Sequence, residues 1–325
     1  MIKSLNRGLP VPTGASEEVQ STVLATPLPD VTAWKKNFPQ NETEWAAVIS
    51  ELDSLEKGFI KGHLNDLPVS IERNEIGGVG VFHVTPADVD PCHEKHLFVH
   101  VHGGAHVSGA GGSGLSEALL IADRARIRVL SVDYRMPPEH PFPAGLNDIV
   151  AVYQHFLADW SSTSIAFGGS SSGGNLAMAA IHKLKHSDIE LPGALFAGTP
   201  WTDLSKTGDS YFVNEGLDRS LVAYEGILGS AAHLYAGDQE ITNPLISPIY
   251  GDFAGFPPTL LVTGTRDLFL SCTVRAHTKL RASGVVADLL VFEGQSHGDY
   301  GLLIDSPESQ LFYAELGAFL KQYLN

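Results

Sequence analysis

The chain has almost no cysteine. Its two thiols, Cys92 and Cys272, stand far apart with no C-x-x-C spacing, which argues against a disulfide framework and a thiolate metal site and leaves both as packing residues. Cationic side chains are also few: 21 Lys and Arg face 37 Asp and Glu, a formal net charge of −16. That excess repels phosphate backbones and anionic membrane surfaces at long range, so no nucleic acid and no membrane is expected as a partner. No segment approaches the roughly 18 uninterrupted apolar residues of a membrane span. The opening MIKSLNRGLPVPTGASEEVQ lacks the apolar run of a signal peptide, and a soluble, cytoplasmic protein is the expectation. Internal repeats and low-complexity tracts are missing too. What remains is an ordinary globular composition, 325 residues of which 43% are hydrophobic and 18% charged, enough to bury a large core.

From about residue 65, short β-branched runs alternate with helical patterns, the signature of a mostly parallel sheet with helices on both faces. Eight runs read as strands: VSIERNE, GVGVFHV, HLFVHVHG, RVLSVDY, SIAFGG, ALFAGT, TLLVTG and ADLLVFEG. The first two meet across Gly77 and Gly78 without a helix between them, so the sheet is expected to start antiparallel. Helices are expected near residues 115–126, 144–158, 174–186, 271–283 and 308–323. Two segments stand outside the alternation. In residues 1–60, Asn41 can cap a helix, Glu44 can complete the box, and Trp45, Ile49, Leu52 and Leu55 form one apolar stripe ending near Gly58. Residues 203–250 are an insertion with Tyr211, Phe212, Leu217, Tyr224, Leu228 and Tyr235. Ligands of open α/β sheets sit outside the carboxyl ends of the strands, where a long insertion can cover them. The two segments are therefore expected to form a helical cap over a core of residues 61–202 and 251–325. Tyr211, Phe212 and Leu217 are its candidate substrate contacts, unless they belong to an auxiliary core.

The stretch FGGSSSGGN, residues 167–175, holds three serines between glycines. A nucleophile on a sharp strand-to-helix turn needs small residues two positions before and two after it, the frame G-x-S-x-G. Only Ser171, between Gly169 and Gly173, satisfies it on both sides. The pentapeptide by itself is equally compatible with a flexible Gly/Ser loop, so the context decides. TLLVTG runs into TRDLFL, placing Asp267 past a strand end, and ADLLVFEG runs into QSHGDY, placing His297 past the next. The order Ser, Asp, His is that of an α/β-hydrolase triad, in which imidazole takes the serine proton and the carboxylate holds the imidazole. HLFVHVHG ends in HGGAHVSG, whose glycines let backbone N–H groups approach an oxyanion. Gly104 and Ala105 are the first candidates there, Gly103 the hinge, and Ser172 a further donor at the start of its helix.

The blocks HGGAHVSG, VDYRMPPEHPFPAGLND and GGSSSGGN, followed by the Asp and His loops, resemble the bacterial branch of the hormone-sensitive-lipase family of α/β-hydrolase esterases. The resemblance runs from about residue 65 to the end. It implies an α/β-hydrolase fold with a mostly parallel eight-stranded sheet and a helical cap. It further implies an oxyanion loop at the HGG block, a brace at the DYR and PEHPFPA block, and a carboxylesterase that needs no metal or organic cofactor. A small-molecule ester with a short to medium acyl chain is the implied substrate, with lactones and other esters or amides open, and a homodimer is implied by analogy. The chain departs from the pattern in two places: Ala105 stands where the third glycine of HGGG is usual, and His106 where a bulky aromatic or aliphatic residue is usual; GSSSG in place of the commoner GDSAG fits a known subgroup of the family and leaves the frame intact. His106 is accordingly a candidate for pocket wall or substrate contact. A receptor of this fold would lack the catalytic histidine, whereas His297 is in place.

Overall fold

A computed structural model describes residues 11–36 and 38–325; residues 1–10 and 37 of the expected cap segment lie outside the described residues. Eight strands form one sheet in the order β1-β2-β4-β3-β5-β6-β7-β8. They are β1 (Val69–Ile76), β2 (Val79–Pro86), β3 (Leu97–Val101), β4 (Arg128–Asp133), β5 (Ile165–Ser170), β6 (Ala194–Gly198), β7 (Thr259–Gly264) and β8 (Ala287–Phe292). β1 pairs antiparallel with β2 across Gly77 and Gly78, which take positive φ, and β2 pairs antiparallel with β4. All other pairs are parallel. The fold class is the one expected, and β3, β6 and β7 are buried along their whole length, as strands covered on both faces must be.

The helices are α1 (Glu17–Ala25), α2 (Val31–Trp34), α3 (Glu42–Phe59), α4 (Ser116–Ala125), α5 (Ala144–Phe156), α6 (Ser172–His186), α7 (Ser210–Val213), α8 (Ile227–Ala236), α9 (Leu270–Ala282), α10 (Asp299–Leu302) and α11 (Pro307–Tyr323). One core packs the sheet against α5, α6 and α9, and a second packs it against α4 and α11. α3 begins at its expected cap, where Asn41 Oδ1 accepts from the Glu44 N–H at 3.0 Å. The reciprocal bond is displaced by one residue, because Glu44 accepts from the Gln40 N–H at 2.7 Å. The helix also runs past Gly58 to Phe59 and closes with a wide turn over Ile60–Leu64.

The segments before and within the core meet each other. Trp45 and Ile49 of α3 pack with Ala231 and Leu234 of α8 and with Ala105 and Val107 of the loop after β3. Lys35 pairs with Glu215 at 2.7 Å and Glu225 at 3.4 Å. The apolar stripe of α3 thus divides, its first half entering this small core and Leu52 and Leu55 facing a cavity at the carboxyl ends of the parallel strands.

Candidate active site

β5 ends at Ser170 and α6 begins at Ser172, so the chain reverses in the single residue Ser171. Its φ of 61° and ψ of −125° fall where residues with a side chain seldom go. The surroundings enforce the turn. Ser171 N–H donates to the Gly198 carbonyl at 2.8 Å, and the Ser171 carbonyl accepts from Asn175 and Trp201, each at 3.1 Å. A Cβ on Gly169 or on Gly173 would overlap the Val101 carbonyl oxygen, so both glycines of the frame answer to one atom at the end of β3. Before the turn, Ser170 is held by Glu117 of α4, which accepts from its N–H at 3.0 Å and also from its hydroxyl. Asn175, the last residue of the motif, donates to the Trp201 and Ile246 carbonyls at 2.7 and 2.8 Å.

Ser171 and His297 line one cavity of about 420 Å³. Behind His297, the fully buried Asp267 accepts from its Nδ1 at 3.1 Å through Oδ1, the oxygen that also accepts from the Phe269 N–H at 2.8 Å. Asp267 Oδ2 accepts from Thr263 Oγ1 at 2.8 Å and from Thr199 Oγ1. With Nδ1 committed to the carboxylate, Nε2 is the nitrogen left to exchange a proton. Burial pushes the imidazole pKa down, but the charge and hydrogen bond of Asp267, with Asp218 and Asp299 adding to them, outweigh burial and raise it above its ordinary value. Asp218 is itself pushed upward by burial and by the charge of Asp267.

Gly103, Gly104 and Ala105 line the same cavity. Gly104, Ala105 and His106 take φ of 111°, 53° and 65°, three left-handed residues in succession. A Cβ at Gly104 would overlap the Ser108 carbonyl, whereas Ala105 adopts a left-handed conformation within reach of a small side chain. Val107 and Ser108 donate their N–H groups to the Gly104 carbonyl at 2.9 and 3.0 Å. The DYR block supports the loop from below: Tyr134 OH donates to the His102 carbonyl at 2.8 Å and its ring stacks on His102 at 4.2 Å. Arg135 is fixed in turn on Asp148 at 2.7 Å. Among the described residues, no backbone carbonyl outside the helices and sheet accepts from the N–H of Gly104, Ala105 or Ser172. The Ser172 group opens α6, where helical N–H groups lack partners and the dipole favours negative charge.

The four expected substrate contacts sit elsewhere. Tyr211 is fully buried, accepting from Trp201 Nε1 at 2.9 Å and donating to the Asp203 carbonyl at 2.8 Å. Phe212 points outward, 62% exposed, with Lys206 Nζ 4.8 Å from its ring. Leu217 is half-buried in the turn after α7. His106 is buried behind the loop, its ring stacked on Tyr235 at 3.9 Å. Burial and the neighbouring His102 push its imidazole down to about 3, and neither ring nitrogen has a hydrogen-bond partner among the described residues. None of the four is among the residues lining the cavity; its apolar wall comes from Trp34, Leu52, Leu55, Leu221, Ile227 and Leu228. On the four-residue α7, Tyr211 faces the core beneath the site and Phe212 faces solvent, so neither ring meets the ligand space. Thr199 went unanticipated, although its position at the carboxyl end of β6 is where such residues are sought. Among the described residues, no group of three or more His, Cys, Asp or Glu could hold a metal ion, and no helix is long and apolar enough to cross a membrane.

The profile of a family described by the alpha/beta hydrolase fold matches residues 98–300, well over half of the chain. The crystal structure of an esterase is 51% identical, covers 98% of each chain and superposes with a TM-score of 0.96. An esterase from the bacterial hormone-sensitive-lipase family is 29% identical over 95% of this chain and 99% of its own, with a TM-score of 0.82. An esterase of Acinetobacter venetianus is 29% identical over 69% of this chain and 74% of its own. With the reversed backbone at Ser171 and the residues around it, these likenesses agree: the chain belongs to the α/β-hydrolase family, in its bacterial hormone-sensitive-lipase branch, and is a serine carboxylic ester hydrolase.

Proposed function

We propose that Ser171, His297 and Asp267 are the catalytic triad and that the N–H groups of Gly104, Ala105 and Ser172 form the oxyanion hole. The observation that carries this reading is a strained Ser171 in one cavity with His297, whose Nδ1 is bound to a fully buried carboxylate. Ser171 Oγ attacks the ester carbonyl as His297 Nε2 takes its proton, and the carbonyl oxygen gathers charge against the three N–H groups. The tetrahedral intermediate collapses, His297 protonates the departing alcohol, and an acyl-enzyme remains. Water, deprotonated by the same nitrogen, attacks the acyl carbon and releases the acid and free Ser171. Asp267 keeps the imidazole in its tautomer and offsets the charge it carries between the two proton transfers.

A cavity of about 420 Å³ with a mostly leucine wall supports esters of short to medium acyl chain. Trp34 and Leu52 from one side and Leu221 and Leu228 from the other supply that wall, which supports the reading of residues 1–60 and 203–250 as a cap. A cytoplasmic location, and a homodimer joined through an edge strand of the sheet, belong to the same proposal; gel filtration at several protein concentrations tests the second.

The test of the chemistry is hydrolysis of p-nitrophenyl esters from acetate to dodecanoate by the protein and its Ser171→Ala variant. A maximum at short chains, abolished in the variant, is the expected result, and turnover persisting in a folded variant would place the nucleophile elsewhere. Because His297 must be neutral to accept a proton and its pKa is raised, the rate should climb with pH through a midpoint above the ordinary value of about 6.5. A profile flat from pH 5 to 8 would remove His297 from the role of base.

A further inference from the structure

Residues 214–221, just after α7, touch both loops that carry the acid and the base. The Asn214 side-chain amide donates to the carbonyls of Asp267 at 2.8 Å and Thr265 at 3.2 Å. One turn later the fully buried Asp218 accepts from the Leu268 N–H at 2.7 Å. The Asp267 carbonyl and the Leu268 N–H are the two edges of one peptide group, the one by which the chain leaves Asp267. Asn214 and Asp218 therefore grip that plane from both sides, and they are tied to each other through the Asp218 N–H and the Asn214 carbonyl at 3.0 Å. Arg219 reaches the other loop. Its N–H donates to Ser296 Oγ at 3.2 Å and its guanidinium pairs with Asp299 at 3.0 Å, residues on either side of His297. The other Asp218 oxygen accepts from the Ser220 and Leu221 N–H groups at 2.9 and 3.0 Å, and these two residues are part of the cavity wall.

We propose that residues 214–221 are a brace in which Asn214, Asp218 and Arg219 are positioning residues, fixing Asp267 and His297 relative to each other and joining both to the wall that meets substrate. A buried carboxylate is a costly way to fill space, and it is tolerated where N–H groups converge on it, as three do on Asp218. The arrangement matters because a catalytic group displaced by about 1 Å can lose about 100-fold in rate. Four groups bear on the charge at His297: Asp267 from the loop after β7, Asp218 from the brace, Asp299 from its own loop, and Arg219 through Asp299. The carboxylate of Asp218 favours the imidazolium that forms during turnover, so its removal destabilises that state.

The inference rests on the triad reading above, and its test separates the two. Asn214→Ala, Asp218→Asn, Arg219→Lys and Ser171→Ala are compared with the unchanged protein on p-nitrophenyl butyrate. The measurements are kcat per active site titrated with a p-nitrophenyl phosphonate, KM, the pH dependence of kcat, and the thermal unfolding midpoint. For the brace variants kcat should fall roughly 10- to 100-fold with KM changed less than about threefold. In Asp218→Asn the acid limb of kcat should also move to lower pH, as the carboxylate that raises the imidazole pKa is gone. A merely structural role would lower the unfolding midpoint and leave kcat per titrated site and the acid limb unchanged, and that result overturns the proposal. Should Asn214→Ala fail to fold, the nearly isosteric Asp218→Asn carries the same test alone. Turnover in Ser171→Ala would overturn the triad reading and the brace together, whereas an inactive Ser171→Ala beside an unaffected Asp218→Asn would overturn the brace only.

Discussion

His106 occupies a place where most of its chemistry is suppressed. Its ring lies flat against Tyr235, 3.9 Å away and 9° from parallel, and both nitrogens are buried without partners among the described residues. An imidazole held in this way acts as an aromatic plate, keeping the left-handed turn at Ala105 and His106 pressed between the core and α8. A buried polar group without a partner costs about 1–3 kcal/mol, so His106→Phe, which keeps the plate and removes both nitrogens, should unfold at an equal or higher temperature and retain kcat within a few-fold. Loss of most activity in a folded His106→Phe would instead give the imidazole a polar role at the loop after β3. His106→Ala should lose stability, because the cavity it opens beneath the loop has nothing to fill it. The proposed triad of Ser171, Asp267 and His297 is legible residue by residue because each type appears at a strand end in a fixed order. Asn214 and Asp218 were not, since they act on the carbonyl and N–H of one peptide group, and backbone groups leave no trace in residue identity. His106 was legible as a departure from the usual block, but the ring that faces it lies 129 positions later in the chain, at Tyr235.

At the scale of elements, the strands could be read because a parallel strand covered on both faces is a short apolar run, as β6 and β7 are throughout. Their order in the sheet could not, since no local pattern records that β4 lies between β2 and β3. The stripe of α3 marks which face of the helix is covered without marking by what, and the structure divides that face between Val107 and Ala231 on one half and the cavity on the other. Trp45, 5% exposed, is the buried side chain by which α3 packs against the loop after β3 and against α8. Trp45→Ala removes a buried aromatic that typically contributes about 3–5 kcal/mol, most of it to the seating of α3 rather than to the sheet. The wall supplied by Leu52 and Leu55 should loosen in consequence. KM for p-nitrophenyl octanoate should then rise several-fold more than KM for the acetate, whose acyl group stays close to Ser171. An equal change on both esters would mean that α3 does not shape the acyl end of the cavity.

For the whole molecule, the buried histidines make stability depend on pH. Burial lowers His93, His102 and His182 to about 4 and His106 to about 3, and all four are at most 3% exposed. In the unfolded chain each titrates near 6.5. Between about pH 6 and 4.5 the unfolded state therefore holds four imidazole protons that the native state does not, while Asp218, raised to about 6 by burial and the charge of Asp267, holds one that the unfolded chain lacks; the net is about three protons, so stability must fall as the pH falls. At about 1.4 kcal/mol per proton and pH unit, three protons make a slope of about 4 kcal/mol per pH unit, a large fraction of the 5–15 kcal/mol by which domains are stable. His297 has the opposite sign, its pKa being raised; its contribution is complete below pH 6.5 and is lost as the pH rises through the folded value, so it does not offset this slope. Urea unfolding measured at intervals from pH 7 to 4.5 reads the number of protons directly from the change of unfolding free energy with pH. A slope near three protons is expected in the unchanged protein, falling by about one in His106→Phe, and a slope below one proton would mean that these imidazoles titrate in the native state as they do in the unfolded chain.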